Sequence, residues 1–220
     1  MNFSEYLNNK TVAIVGPAGS INGTNQSKYI DGHDIVMRFN SAVPLKPEMK
    51  KDIGTRTDIL CNCLEPNFTS GGKIDPDLWI REKVKWVLSP YPRELWYTKG
   101  NIANFEKINK NRIKFQCTDK IFFDDIEGKV KTRPNSGVLG ILYILKHNPK
   151  SVYVTGITFG RGGYHAGYKD GITPEKYDKL ANSGTHQQKP QENLFREIYN
   201  KDKRIKVDKA LEEILGERNV

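Results

Sequence analysis

The sequence predicts one α/β domain over residues 1–220, built on a mostly parallel sheet flanked by helices. Short apolar runs rich in β-branched residues alternate with helix-like stretches, an order typical of parallel strands joined by helices. The length of 220 residues suits one domain with a buried core. The composition, 37% hydrophobic and 28% charged, is that of a folded chain.

The elements follow from these runs in chain order. We predict strands at Val12–Val15, Ile35–Phe39, Asp58–Cys61, Val84–Leu88, Ile113–Phe115, Val152–Thr155 and Arg204–Val207. We predict helices at Asp77–Arg81, Asn101–Ile108, Gly137–His147, Gln191–Asn200 and Asp208–Leu215. Two segments have the composition of long surface loops, Ser41–Lys51 and Gly160–Thr185, and the second is long enough to indicate a functional role or disorder.

The chain lacks the marks of a secreted or membrane-spanning protein. Its most apolar segment, Val138–Leu145, predicts a buried helix, since it is far shorter than the roughly 20 residues that cross a bilayer. The first ten residues show no signal-peptide pattern. The cysteines Cys61, Cys63 and Cys117 have no metal-ligand spacing and favour reduced thiols, with a Cys61–Cys117 disulfide as the less favoured alternative. These features predict a soluble, cytoplasmic protein.

The formal net charge of +9 suits an anionic partner, such as a nucleotide sugar, a nucleic acid or an acidic membrane surface. A lysine-rich, solubilising surface explains most of this charge. No run of Lys and Arg reaches the length of a nucleic-acid-binding arm, and no recognised nucleic-acid module is present. Nucleic acid is therefore the weakest candidate partner.

Glycine and polar residues stand where three predicted strands end. They are Gly16–Ser20 after the first strand, Arg38–Asn40 at the end of the second, and Gly156–Phe159 after the sixth. In parallel sheets, ligands bind beyond the carboxyl ends of the strands, where the strand order reverses. This placement predicts a nucleotide site.

The segment Arg133–Gly137 opens the most apolar predicted helix. Asn135 or Ser136 can cap that helix, and the exposed N–H groups of its first turn form an anion-binding end. A plain helix cap is the simpler interpretation of the segment taken by itself.

The segments Ile30–Asn40, IDGHDIVMRFN, and Asp52–Thr57, DIGTRT, form a longer pattern. It resembles the long sialyl motif of the sialyltransferases, glycosyltransferase family 29, with the same isoleucine-aspartate, histidine-aspartate and arginine-x-asparagine punctuation. The segment from Arg133 to Gly156 resembles the short sialyl motif: an arginine-proline entry, serine-glycine, an apolar helix and a strand ending in glycine. The chain is also similar to bacterial CMP-sialic acid transferases.

The resemblance implies a Rossmann-like domain of GT-A variant type. The implied reaction moves sialic acid, or a related ulosonic acid such as Kdo, from a CMP donor to a glycan hydroxyl by a metal-independent inverting displacement. No metal and no further cofactor are implied, and the partners are the CMP-sugar donor and a glycan acceptor.

The resemblance also implies roles for single residues. His186 matches the histidine that acts as general base, and His165 matches the histidine that contacts the donor phosphate, with Tyr164 or Tyr168 beside it. The other implied donor contacts are Gly16, Ser20, Asn40, Asn135, Ser136, Gly137, Gly156, Ile157 and Thr158. Arg38 is interpreted instead as structural, paired with Asp31 or Asp34.

Asp75 and Asp77 match the aspartate-x-aspartate motif that holds a metal in many other nucleotide-sugar transferases. Because Pro76 follows Asp75 and a predicted helix begins there, we interpret Asp75 as a helix cap. A metal site at this pair stays an open alternative.

The chain departs from the family pattern at two positions. Pro17 stands where the family usually has asparagine, and Gln191 stands in the place of a glutamate, with Glu192 after it. These departures leave two alternatives: a catalytically inactive relative that binds CMP or a glycan, and a transferase for another nucleotide sugar. The missing membrane anchor, stem and motif-bridging cysteines suggest a minimal catalytic domain of microbial or viral origin.

Overall fold

The computed structural model describes residues 1–181 and 186–218. Its centre is a sheet of seven parallel strands in the order β5-β4-β3-β2-β1-β6-β7. The strands are β1 Thr11–Val15, β2 Ile35–Phe39, β3 Ile59–Cys61, β4 Trp86–Ser89, β5 Lys114–Cys117, β6 Ser151–Thr155 and β7 Ile205–Val207. The order reverses at β1, which pairs with β2 on one side and with β6 on the other.

Helices cover both faces of this sheet. They are α1 Phe3–Leu7, α2 Ser27–Asp31, α3 Lys50–Ile53, α4 Pro76–Arg81, α5 Trp96–Asn109, α6 Lys120–Val130, α7 Ser136–Lys146, α8 Pro174–Ala181, α9 Gln188–Lys201 and α10 Lys209–Leu215. Helices α1, α6, α7, α9 and α10 pack on one face, and helices α2 to α5 pack on the other. Because both faces are covered, the central strands β1 and β2 are buried along almost their whole length, including Arg38 in β2.

Helix α7 packs closely against the sheet. A Cβ atom at Gly140 would lie 2.9 Å from both Cys61 Sγ and Phe39 Cε1, so only glycine lets the helix axis come this near to β2 and β3. The residues from Val138 to Leu145 are all buried, which confirms the predicted buried helix. The close packing carries the first turn of α7 to the carboxyl ends of the strands.

The predicted α/β class and each predicted strand and helix are confirmed, with ends shifted by a few residues. Five helices were not predicted: α1, α2, α3, α6 and α8. The predicted loop Ser41–Lys51 contains a 3₁₀ turn at Pro47–Met49 and the start of α3. The predicted loop Gly160–Thr185 contains α8, and its last four positions lie outside the described residues.

Two further predictions concern single residues of the scaffold. Asp75 caps α4 by accepting the Leu78 N–H at 3.0 Å, as predicted. Arg38 is structural, being 1% exposed, but its predicted pairing is wrong. Its guanidinium donates to the backbone carbonyls of Arg56 and Ile53, whereas Asp31 and Asp34 accept from Thr55 and Thr11.

All three cysteines are free thiols. Across the part of the chain that the structure describes, no helix has the length and apolar character needed to cross a membrane.

Candidate active site

A cleft of about 400 Å³ opens at the carboxyl ends of β1, β2 and β6, where the strand order reverses. Its volume lies within the range of small-molecule sites. Ten residues that the sequence predicted for the site line it: Asn40, Asn135, Ser136, Gly137, Gly156, Ile157, Thr158, Tyr164, Tyr168 and His186. The cleft therefore joins residues from both halves of the sequence.

The floor of the cleft is formed where the ends of β1 and β6 touch. Gly16 N–H donates to the Thr155 carbonyl at 2.8 Å, and a Cβ atom at Gly16 would lie 2.3 Å from the Gly156 oxygen. Gly156 has a φ of +66° and is held by Asp208, whose carboxylate accepts its N–H at 3.0 Å. Glycine at both positions lets the two turns meet without side chains between them.

The N-terminus of α7 forms one wall. The Asn135 side chain caps the helix by accepting the Val138 N–H at 2.9 Å. The N–H groups of Ser136 and Gly137 have no partner within the helix, as in every first turn, and both residues line the cleft. This wall can therefore bind an anion through free N–H groups and the helix dipole.

Gln191 holds this helix start in place. Its side-chain oxygen accepts the Asn135 N–H at 2.7 Å, and its amide nitrogen donates to the Gln187 carbonyl at 3.0 Å. Gln191 is fully buried, so the residue in the place of the family's glutamate supports the first turn of α7.

The acid next to it, Glu192, serves a different purpose. Its carboxylate is 2% exposed and pairs with Arg161, Lys189 and Arg196 at 2.6–2.8 Å. Although burial opposes ionisation, hydrogen bonds from these three cations lower the pKa of Glu192 to about 2. Glu192 is therefore a permanently charged structural residue, outside the lining of the main cleft.

His186 lies against the segment that leads into α7. Its Nδ1 is 2.8 Å from the Arg133 carbonyl oxygen, which can only accept a hydrogen bond. Nδ1 therefore carries the proton, and Nε2 of the neutral ring keeps a free lone pair. Burial lowers the pKa of His186, and the nearby Arg133 guanidinium lowers it further. The imidazole is thus neutral at pH 7 and equipped to accept a proton.

Arg133 itself lines the cleft, although the sequence did not predict this. Its guanidinium lies 4.1 Å from the ring centre of Tyr97 and 4.8 Å from that of Tyr91. Its Nε is buried and makes no hydrogen bond to any described residue. The stacked rings hold a cation beside His186.

Asn40 enters the cleft from the end of β2. It has a φ of +47°, a conformation that asparagine tolerates better than most residues. Its side-chain oxygen accepts the Cys63 N–H at 3.1 Å, which fixes the amide plane. The amide nitrogen is then available as a donor at the cleft surface.

The segment that follows β6 is joined to the turn after β1. Gly19 N–H donates to the Gly163 carbonyl at 3.0 Å, and Ala18 forms an antiparallel bridge with Tyr164. This pairing places Tyr164 and Tyr168 in the cleft. Burial raises the pKa of both phenols, so both are neutral hydrogen-bond donors at pH 7.

Three residues predicted for the site lie outside the cleft lining. Gly16 and His165 line a separate cavity of about 10 Å³ beside Arg38. His165 is 8% exposed, and its Nδ1 is 2.8 Å from the Ala166 carbonyl. The Ser20 hydroxyl is buried in a 3₁₀ turn with no hydrogen-bond partner among the described residues. The ligand contacts predicted for these three residues stay predictions.

The sequence missed one whole wall of the cleft. Glu65, Thr69 and Ser70 come from the segment after β3, and Lys169 comes from the segment after β6. The position of the first three after a strand of the parallel sheet was an available signal, because all strand ends meet at one edge. For Lys169 the signal was its place directly after Tyr168.

The aspartate pair of the open metal alternative lies elsewhere. Asp75 caps α4, Asp77 pairs with Arg112, and neither residue lines the cleft. Within residues 1–181 and 186–218, no three His, Cys, Asp or Glu side chains form a group that could hold a metal ion.

The sequence matches one family model. The model of glycosyltransferase family 29 (sialyltransferase) covers residues 5–189. The beta-galactoside alpha-2,6-sialyltransferase 2 of Rattus norvegicus is 30% identical over 154 residues, which are 62% of this chain and 29% of the relative. The protein of the same name from Danio rerio is 28% identical over 159 residues, 62% of this chain and 30% of the relative. The matched region thus spans less than a third of these relatives.

Solved structures show the same fold. A mammalian sialyltransferase in complex with Gal-beta-1-3GalNAc-ortho-nitrophenol has a TM-score of 0.61 at 16% identity, covering 94% of this chain and 72% of that one. The sialyltransferase CstII from Campylobacter jejuni, in complex with the substrate analogue CMP-3FNeuAc, has a TM-score of 0.55 at 16% identity. The match covers 90% of this chain and 80% of the CstII chain.

Proposed function

Because the chain belongs to glycosyltransferase family 29, the sialyltransferases, we propose that it transfers sialic acid or a related ulosonic acid, such as Kdo, from a CMP donor to a glycan hydroxyl. The observation that carries this proposal is the convergence of His186 and Asn40 on one cleft at the reversal of strand order. A base and a nucleotide-contacting amide are the two groups that such a transfer needs in one place.

The charge of the cleft supports an anionic donor. Its lining contains two strong cations, Arg133 and Lys169, and one carboxylate, Glu65. A CMP-ulosonic acid carries a phosphodiester and a carboxylate, so its two negative charges match this excess of positive charge. The free N–H groups at the start of α7 add further donors for one of these anions.

The proposed reaction is a single displacement. His186 Nε2 takes the proton of the acceptor hydroxyl. At the same time the hydroxyl oxygen attacks the anomeric carbon of the donor sugar. The bond from that carbon to the phosphate oxygen breaks, and its electron pair leaves with CMP. Attack and departure on opposite faces invert the anomeric centre.

The leaving phosphate gains charge as this bond breaks. Helix N–H groups, neutral phenols and side-chain cations can stabilise that charge in place of a metal. The fixed positions of Tyr164 and the first turn of α7 support such a preorganised site. We therefore propose a metal-independent mechanism.

The structure weakens the reasons for an inactive relative. Gln191 makes a buried hydrogen bond that supports the cleft wall, so its replacement of glutamate leaves the site assembled. Pro17 removes one side-chain donor, but its backbone oxygen still anchors the segment after β6 by accepting the His165 N–H at 2.9 Å.

A transfer assay tests the proposal. CMP-sialic acid is incubated with a β-galactoside, the acceptor class in the names of the curated relatives, and both free CMP and sialylated product are measured. We expect product from the unmodified protein. His186→Ala should lower the rate roughly 10²- to 10⁴-fold, the usual contribution of general base catalysis, while the Kd for CMP changes little.

His33→Ala is the matched control. The His33 Nδ1 also lies 2.9 Å from a backbone carbonyl, that of Tyr29, but His33 is not part of the cleft lining. Its replacement should leave transfer unchanged. Equal losses in both variants, or a His186→Ala variant that no longer binds CMP, would argue against His186 as the base.

A further inference from the structure

Lys169 is a buried ammonium group in the wall of the cleft. The residue is 4% exposed. Its Nζ donates to the carbonyl oxygens of Thr69 at 2.8 Å and Ser70 at 3.0 Å. An ammonium group has three protons, and these contacts use two of them.

No described carboxylate forms an ion pair with Lys169, whose described polar partners are the two neutral carbonyls. Burial lowers the pKa of Lys169 to about 8, so most of the population is still charged at pH 7. A buried charge without a counterion costs several kcal/mol of free energy. An anionic ligand in the cleft would supply the missing counterion.

The Lys169 ammonium group lies beside two tyrosine rings that line the cleft. Its Nζ lies 5.7 Å from the ring centre of Tyr164 and 5.5 Å from that of Tyr168. Tyr168 donates its hydroxyl to the Phe39 carbonyl at 3.2 Å, next to Asn40. The ammonium and the two tyrosines therefore lie on the side of the cleft where Asn40 is proposed to hold the nucleotide.

His165, four residues earlier, is placed less well for a phosphate. It lines the small second cavity, and its Nδ1 is engaged by the Ala166 carbonyl. Burial lowers its pKa, so the ring is neutral at pH 7. The other strong cation, Arg133, is stacked on tyrosine rings beside His186.

We propose that Lys169, and not His165, supplies the positive charge that binds the phosphate of the CMP donor. The inference rests on the proposed function and assigns a residue to its donor site. In the transfer, the electron pair of the broken bond goes to a phosphate oxygen, and the third N–H of Lys169 donates a hydrogen bond to the phosphate without losing its proton.

Comparing the affinities for CMP and cytidine isolates the contribution of the phosphate to binding. The Kd of each is measured by calorimetry for the unmodified protein and for Lys169→Met, which keeps a long unbranched side chain and deletes the charge. We expect the Kd for CMP to rise roughly ten- to hundredfold, the value of a charge-assisted hydrogen bond, and the Kd for cytidine to change less than about twofold. Lys169→Arg should retain most of the preference for CMP.

Two controls complete the design. Lys176→Gln removes an equal charge from an exposed residue outside the cleft lining, and His165→Gln removes the competing candidate. Both should keep the ratio of the two dissociation constants. If Lys169→Met does not fold by circular dichroism, Lys169→Gln, which keeps one donor for the Thr69 carbonyl, provides the same comparison.

Three results would overturn the assignment: an unchanged Kd for CMP in Lys169→Met, equal weakening of CMP and cytidine, or loss of the CMP preference in His165→Gln. Failure of the unmodified protein to bind CMP would instead overturn the proposed function together with this inference.

Discussion

The role proposed for His186 depends on which ring nitrogen carries the proton. The Arg133 carbonyl at 2.8 Å can only accept, so it assigns the proton to Nδ1 and leaves Nε2 as the base. The same segment thus orients the His186 ring, supplies a cleft cation through the Arg133 side chain and leads into the first turn of α7.

The pH dependence of transfer follows from this arrangement. Burial, with the Arg133 charge, lowers the pKa of His186 below its ordinary value of 6.5. The neutral form, proposed to be the active one, is therefore the major form at pH 7, and it is lost as the pH falls through the lowered pKa. We expect kcat to be flat near pH 7 and to fall on an acid limb whose midpoint is below 6.5. A midpoint above 7 would contradict the assignment.

The contribution of the Asn40 side chain to CMP binding can also be tested. Asn40→Ala deletes the amide donor and should raise the Kd for CMP about two- to tenfold, the value of one neutral hydrogen bond. Asn111→Ala is the matched control, because Asn111 also has a positive φ, +58°, but is exposed and outside the cleft. Equal CMP binding by Asn40→Ala and the unmodified protein would remove Asn40 from the site.

The sequence predicted those site residues that belong to recognisable motifs. Asn40 and the first turn of α7, which line the cleft, were predicted because strand ends and helix starts have local sequence signals, whereas His186 was predicted from its match to a family motif. Glu65 and Lys169 were not, because their place in the cleft depends on how two long connections fold over the sheet edge. The position of His165 at the small second cavity follows from the pairing of its backbone N–H with the Pro17 carbonyl, which no local pattern indicates.

Among the elements, the contact between the ends of β1 and β6 determines the shape of the cleft floor. The predicted strands are confirmed because their apolar runs are buried on both faces of the sheet. Helix α6 was missed although Phe123, Ile126 and Val130 stand at helical spacing and are buried. Its short apolar stretch is interrupted by acidic residues, so its signals were the helical periodicity and the capping residue Asp119.

Gly16→Ala tests the contact between the ends of β1 and β6. The new Cβ atom would lie 2.3 Å from the Gly156 oxygen and 2.3 Å from Ile157 Cδ1, and a backbone oxygen cannot move aside cheaply. We expect the free energy of unfolding to fall by about 1–3 kcal/mol, which lowers the Tm by several degrees. In Gly100→Ala, inside α5, the new atom meets nothing within 4 Å and should raise stability slightly. Similar Tm values for the two variants would contradict the close approach.

In the whole molecule, the order of the strands determines where the cleft lies. β1 leads to β2 on one side, and the chain returns to the other side of β1 only at β6, so the cleft opens at the carboxyl ends of these three strands. The sequence predicted a parallel sheet but contained no signal for the order of its strands. The strand-end rule predicted that Asn40 and Gly156 lie at the same edge of the sheet, whereas the convergence of His186 with Asn40, about 150 positions away, was expected only from the family resemblance.

The charges of the assembled cleft predict independence from metal ions. Since Arg133, Lys169 and the start of α7 provide the positive potential, transfer in excess EDTA should proceed at the rate measured without it. The assay is repeated with added Mg²⁺ and Mn²⁺ as the control for chelation. A loss of activity in EDTA that either ion restores would contradict the proposed mechanism.

A crystal structure of the protein with CMP tests the central claim most directly. We predict the nucleotide in the cleft of about 400 Å³, with Asn40 in contact with it and the phosphate between Lys169 and the first turn of α7. Nucleotide bound elsewhere on the molecule, or a cleft that stays empty at saturating CMP, would contradict the account.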